Sequence, residues 1–328
     1  MATHGITVIG ECVADAFTDP ARSTPAHLAL NVLPGGGPAN TAVALARLGT
    51  PTRLLARISH DVFGTLFSSH LTASGVDLTG SVTTAPEPST LAVAALDNTG
   101  QAAYSFFADG AADWQWTPDE LTATAPDRDT VAVHTGSLAL IRQPGGSHIE
   151  DHLADVREHA TVSIDPNVRP LLVPPSAYRQ RLHHWCTLAD ILRLSEDDLA
   201  LLLPGATPEQ VCDTWHEAGA RLVVITLGER GALASLDGHR VTVPAPAVNV
   251  VDTVGAGDSF TAGLLHRLCA LGHLGGRLDT LTLDDTADAC TFAARVAART
   301  CSVPGADPPW AARLTSPATH DDHLRRQA

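Results

Sequence analysis

The sequence predicts an α/β fold built on a doubly wound, mostly parallel sheet, and three observations lead there. Short apolar runs alternate with stretches of helical periodicity through most of the 328 residues, the order that winds helices onto both faces of a parallel sheet. The runs Gly5–Gly10 and Thr161–Ile164 lead into a glycine and an acid, as strands do where their C-terminal ends open into a site. From Ser89 the texture becomes alternating, TLAVAAL and then AAYSFF around Asp97-Asn98-Thr99-Gly100, which reads as a hairpin set apart from the main sheet.

At 44% hydrophobic content a chain of this length buries roughly three quarters of its unfolded surface, as one large domain or a domain with a lid. No apolar run reaches membrane-spanning length, and MATHGITVIG lacks a basic region and cleavage site, so a cytoplasmic protein without a membrane partner is the default. The net charge of −15 argues against a nucleic-acid partner, whose phosphates need a basic face. Six cysteines are widely spaced with no C-x-x-C, which indicates buried thiols rather than a zinc site or disulfide framework. The chain contains no lysine. A G-x-x-x-x-G-K-[ST] phosphate loop and a Schiff-base lysine are therefore excluded, and any phosphate must be met by backbone N–H groups, Mg²⁺ and arginine.

In order, Gly5–Gly10 reads as a central strand, and Asp15 follows within a few residues. Gly35-Gly36-Gly37-Pro38-Ala39-Asn40 then opens a helix running to Leu48, with Pro38 near its start and Gly49 after its end. The block fails as a dinucleotide loop because Asn40 stands at the last glycine of G-x-G-x-x-G. Thr52–Ile58 reads as a strand, Asp61–Ala73 as a helix, and the hairpin ends with Phe106 and Phe107, candidates to pack over a ligand or to join the core. Strands at Val131–Thr135 and Thr161–Ile164 flank a polar helix carrying His148 and His152, which departs from H-E-x-x-H. Asp165-Pro166-Asn167-Val168-Arg169-Pro170 follows at the ligand edge, where Arg169 could serve a substrate oxygen or a phosphate. Ile191–Leu203 is a strand and then a helix capped at Ser195; Arg221–Leu227 leads into Gly228-Glu229-Arg230-Gly231; Arg240–Val251 is extended; Ser259–Leu271 and Asp284–Cys301 are helices. Beyond Trp310 the tail is polar and expected to be mobile.

The stretch VDTVGAGDSFTAG, Val251–Gly263, concentrates the chemistry. Gly255, Ala256 and Gly257 sit at a loop-to-helix junction, where small residues let a phosphate approach and the first helical turn presents unpaired N–H groups and a positive dipole end. Asp258 inside such an anion hole would repel a phosphate. Its placement makes sense if it takes a proton from an attacking hydroxyl while the N–H groups hold the developing charge.

D-T-x-G-A-G-D-S-F closely resembles the C-terminal signature of the PfkB (ribokinase-like) carbohydrate kinases, and GGGPANTAVALARLG resembles that family's N-terminal signature. The resemblance spans nearly the whole chain and looks fructokinase-like in Asp165–Pro170 and in ADWQWTPDEL, Ala112–Leu121. It implies a ribokinase-like kinase domain at 1–310, a small β-sheet lid from segments about 12–34 and 89–108, and a polar tail at 311–328. The activity implied is transfer of the γ-phosphate of Mg-ATP to a hydroxyl of a small sugar, foremost D-fructose, with 2-keto-3-deoxygluconate or ribose as alternative acceptors.

Asp258 is then the base beside Gly255, Ala256 and Gly257, while Asp15, Gly36, Gly37, Asn40 and Arg169 meet the sugar. Asp61 and Gly64 match a G-x-D-x-x-G stretch whose first glycine is replaced by Ser59. Ser195, Thr226, Gly228 and Gly231 fall on the nucleotide side, with Asp198 and Ala294 standing where the family has glutamate and asparagine. Asp252, Val254, Thr300 and Gly305 fall near an optional site for a monovalent cation such as K⁺. The family also allows a homodimer formed through the lid. Two readings from other classes stand beside the kinase: a non-catalytic sugar or nucleotide sensor, and a dinucleotide oxidoreductase, which the failed glycine pattern opposes.

Overall fold

The structure, a computed structural model, describes residues 5–96, 102–123 and 129–314. The expected turn at Asp97–Gly100 and the tail from residue 315 onward lie outside the described residues.

The strands are β1 (Gly5–Ile9), β2 (Val13–Thr18), β3 (Leu30–Gly35), β4 (Thr52–Leu55), β5 (Arg57–Ser59), β6 (Val82–Ala85), β7 (Thr90–Leu96), β8 (Ala102–Phe107), β9 (Thr130–Gly136), β10 (Thr161–Asp165), β11 (Ile191–Ser195), β12 (Leu222–Thr226), β13 (Ala232–Leu236) and β14 (His239–Val243). Eight of them form one sheet in the order β14-β13-β12-β11-β10-β9-β1-β4. β4, β1 and β9 to β12 are parallel, and the β13–β14 hairpin closes one edge antiparallel. The chain moves from β1 outward to β4 and returns to β9 on β1's other side, a reversal that leaves a crevice at the strands' C-terminal ends.

Both faces of the sheet are covered. In β12, Val223 and Ile225 join a core shared with helices Gly145–Val156, Pro175–Leu188 and Pro208–Ala218, whereas Leu222 and Val224 join one shared with Gly37–Arg47, Val62–Ala73, Ala256–Ala270 and Leu283–Cys301. Such two-sided burial explains why the strands read as continuous apolar runs. No helix among the described residues is long and apolar enough to cross a membrane.

A second sheet, in the order β3-β2-β7-β8, forms the small lid. Its register sets Asp15 opposite Leu33 and Ala92, and Ala92 opposite Phe106, so these four share one face. Phe107 pairs with Leu91 and points to the other face, 62% exposed. Only Phe106 of the two phenylalanines therefore stands on the side of Asp15, stacked on Tyr104 at 5.8 Å, and neither belongs to the core. Asp113, from the ADWQWTPDEL segment, ties down the lid's root: it is buried, with its carboxylate accepting from Cys12 N at 2.9 Å and Thr90 Oγ1 at 2.7 Å.

One expectation needs correction. Thr52–Ile58 is not one strand: it breaks at Ala56, whose N–H donates to Ser81 Oγ, and β5 leaves the main sheet to pair with β6. Ala311–Leu314 is a helical turn, and the Leu314 carbonyl accepts from Arg295.

Asp61 caps the helix Val62–Ala73, accepting from Phe63 N and Gly64 N, and also takes Ser89 N and Oγ at the start of the lid hairpin. These bonds hold its carboxyl below the ordinary aspartate range against the opposing pull of burial. Asp61→Ala is expected to cost about 1–2 kcal/mol, the range of a lost cap, measured by denaturant unfolding. Because its folded pKa is depressed, the cap's ionic contribution is present above the unfolded value and lost as pH falls through the folded one. The deficit of the alanine variant should therefore shrink in acid.

Candidate active site

Five strand ends meet at the C-terminal edge of the main sheet: Gly10–Cys12 after β1, Gly136–Ser137 at the end of β9, Pro166–Arg169 after β10, Ser195 at the end of β11 and Leu227–Gly231 after β12. Opposite them are the N-termini of helices Gly37–Arg47 and Ala256–Ala270.

The second of these helices starts from Gly255, whose φ of 74° is left-handed and whose absent side chain leaves room for Ala306; a Cβ there would lie 2.7 Å from that of Ala306. No side chain caps this end, but of the amides expected to be unpaired there Ala256 N–H donates to the Thr253 carbonyl at 3.2 Å. Asp258 is the third residue of the helix, half-buried, and its Oδ2 accepts from Asn40 Nδ2 at 2.9 Å although the two lie 218 positions apart. The early glycine turn faces it directly. A Cβ on Gly37 would come within 3.3 Å of Asp258 Oδ1 and 2.7 Å of Asn167 Nδ2, and Gly36 holds a φ of 104° against the Glu11 carbonyl.

Electrostatics single out two carboxyls. Burial pushes Asp258 up to about 6, opposed by the Asn40 amide and the charges of Arg169 and Arg193, while Asp165 raises it further. Asp15, on the lid face packed over Gly35, is likewise pushed to about 6 by burial and pulled down by Arg169. Arg169, exposed and curled near its own Asn167 and Val168 carbonyls, thus acts on both acids. Glu11 lies behind this floor, fully enclosed and raised to about 7 by burial, with Oε2 accepting from Ala139 N.

Among the residues expected to meet the nucleotide, Ser195 forms a reciprocal capping box with Asp198, and Asp198 also accepts from Val168 N at 2.9 Å. Both carboxylate oxygens of Asp198 are thus engaged within the protein. Thr226 Oγ1 accepts from Arg193. Gly228 and Gly231 bracket the turn into β13, and Gly231 packs without room for a side chain against the Val243 carbonyl. Asp252 clasps two loops by accepting from Val254 N at 3.0 Å and Gly305 N at 2.8 Å, whereas the buried Thr300 hydroxyl bonds to Ser259. Among the described residues no three His, Cys, Asp or Glu side chains are grouped to hold a metal.

The sequence reading missed Arg193, Asn167 and Ser137. Asn167 and Ser137 are non-glycine residues with positive φ, 42° and 53°, on either side of Gly37. Strained backbone of this kind collects at functional sites, but it leaves no mark in composition. Arg193 had a signal, a lone charge inside the apolar strand Ile191–Ser195.

The model of the pfkB family carbohydrate kinases matches residues 3–313. The chain is 37% identical over 262 residues to the fructokinase of Rhizobium leguminosarum bv. trifolii, covering 78% of each protein. It is 33% identical over 273 residues to that of Klebsiella pneumoniae, covering 81% of this chain and 85% of that protein. Among solved structures, fructokinase with bound ATP from Xylella fastidiosa superposes with a TM-score of 0.84 at 26% identity, over 95% of this chain and 98% of that one. A double mutant of fructokinase from Vibrio cholerae O395, in a form with fructose, ADP and potassium ion bound, gives a TM-score of 0.78 at 27% identity, over 93% and 95%.

Proposed function

Since the chain belongs to the pfkB family of carbohydrate kinases, we propose that it is an ATP-dependent fructokinase in which Asp258 is the catalytic base. The observation that carries this reading is the placement of Asp258 at the mouth of the helix Ala256–Ala270, bonded to Asn40 and facing Gly37. A sugar hydroxyl held between Asp15, Gly36, Gly37, Asn40 and Arg169 lies within reach of that carboxylate. The N–H groups of Gly255 and Gly257 then receive the charge that builds on the phosphoryl group, with Ala256, whose N–H donates to the Thr253 carbonyl at 3.2 Å, holding the turn between them.

ATP spans the edge from Gly255 to Thr226 and Gly228, with Ser195 and Gly231 shaping its cleft by cap and turn. When bound with the nucleotide, Mg²⁺ would supply charge neutralisation on the phosphates. With Asp165 and Asp198 committed to protein partners and no metal cage among the described residues, the site suits an ion held chiefly by nucleotide oxygens and water. K⁺ would bind by the loops that Asp252 clasps, near the Val254, Thr300 and Gly305 backbone. The setting we infer is the cytoplasm, and two copies would pair through the lid, where Phe17, Leu28, Leu30, Leu33, Tyr104 and Phe107 are exposed.

A coupled ADP-release assay across fructose, ribose and 2-keto-3-deoxygluconate, with and without K⁺, tests the assignment. Fructose should give the highest kcat/KM, and a stronger preference for another acceptor would overturn the substrate assignment.

Acidity gives a second test. Asp258 and Asp15 both sit near 6, so turnover should rise with pH through about 6 as they ionise. Their effect on stability has the opposite sign: raised pKa values favour the folded state most below the ordinary aspartate value of about 4, and that benefit is lost as pH rises through 6. Arg169 lowers both acids, so Arg169→Gln should move the rising limb to higher pH. A limb that stays in place would remove Arg169 from the site's electrostatics.

A further inference from the structure

We propose that Arg193 is the fixed cation beneath the anion hole: a positioning residue that holds the Gly257 peptide in place and adds positive potential where the phosphoryl group passes. Arg193 is 4% exposed. Its Nη1 donates to Asp165 Oδ2 and its Nη2 to Thr226 Oγ1, each at 2.7 Å, which links the ends of β10, β11 and β12. The guanidinium packs against the start of the helix. A Cβ on Gly257 would be 2.9 Å from Nη1 and 3.2 Å from Nη2, and the Phe260 ring centre is 5.7 Å from Cζ. The Nε–H is buried and finds no hydrogen-bond partner among the described residues.

Such a group is an expensive strut. A buried ion pair is often matched or bettered in stability by apolar residues of similar volume, and Leu192 and Leu194 on either side of it in this strand are apolar. A charge retained there implies use of the charge. Its field reaches the catalytic edge: it favours the ionised forms of Asp258 and Asp198 and disfavours protonation of His134 beneath. Asp165 offsets part of it, and Arg169 contributes from the sugar side. In a chain without lysine, an arginine behind the hole supplies the positive potential through the thin, side-chain-free wall at Gly257, without touching ATP.

The inference rests on the reading of Asp258 as base and of Gly255–Gly257 as the phosphoryl site. Its test is the kcat–pH profile and fructose KM of Arg193→Gln and Arg193→Lys, with Asp258→Asn run in parallel. Arg193→Gln should lower kcat about 100-fold, the scale of a lost transition-state stabiliser. It should shift the rising limb to higher pH and leave fructose KM within about twofold. Arg193→Lys, which keeps the charge, should recover kcat to within about tenfold of wild type and restore the limb.

A folded Arg193→Gln with unchanged kcat and limb overturns the proposal, as does a lysine variant no better than the glutamine one. Should the glutamine variant not fold, the lysine variant decides alone: an unmoved limb with kcat within tenfold supports the cation, and a displaced limb refutes it. High activity in Asp258→Asn would instead sink the underlying assignment of the base, whatever Arg193 does.

Discussion

Replacing Asp258 by Asn is expected to cut turnover by at least 100- to 10,000-fold, the loss typical of a missing general base, while ATP binding is largely kept. The substitution is nearly isosteric. An amide still fills the space beside Gly37 and can still pair with Asn40 after a flip of either group, so the helix mouth should keep its shape. What disappears is the ability to accept a proton. The loss should therefore fall on kcat, with the nucleotide dissociation constant moving little. Removing the negative charge from the anion hole could even tighten ATP slightly, since the carboxylate repels phosphate. Steady-state kinetics and calorimetric titration with ATP read both effects, and turnover near the wild-type level would show that another group takes the proton.

Gly255→Val attacks the other half of the machinery while leaving Asp258 untouched. A β-branched residue at a φ of 74° is strained by roughly 1–3 kcal/mol, and its Cβ would lie 2.7 Å from the Ala306 Cβ and 3.0 Å from the Ala306 Cα. Because part of that clash is with backbone, the first turn of Ala256–Ala270 must shift. A displacement near 1 Å costs on the order of 100-fold in rate where geometry is tight. The variant should lose that much kcat and melt at lower temperature. If it melts lower while turning over normally, the Gly255 and Gly257 amides are not the phosphoryl site.

Much of this arrangement was legible in the chain, for reasons that differ by residue. The meeting of Asn40 with Asp258 could be anticipated because each lies at a helix start rich in small residues, where a parallel sheet gathers ligands. The lid was visible as alternation in TLAVAAL and AAYSFF, and the same period-2 rule separates Phe106 from Phe107. The break at Ala56 was not visible, because no glycine or proline interrupts Thr52–Ile58. The strand divides on a tertiary bond to Ser81, which local sequence does not encode. Arg193 was hidden for a related reason. In the strand Ile191–Ser195 it looks like a stray charge, and its meaning comes from Gly257, which folding lays against it from 64 positions away.

The central claim is that Asp258 takes the proton of a fructose hydroxyl aimed at ATP, and the crystal structure of Asp258→Asn with fructose and ATP bound tests it most directly. The expected result is uncleaved ATP with its terminal phosphate at the amides of Gly255 and Gly257. One fructose hydroxyl should lie about 2.6–3.2 Å from the substituted side chain and in line with the terminal phosphorus. A sugar whose hydroxyls all point away from that side chain, or a terminal phosphate seated elsewhere than the helix mouth, would contradict it.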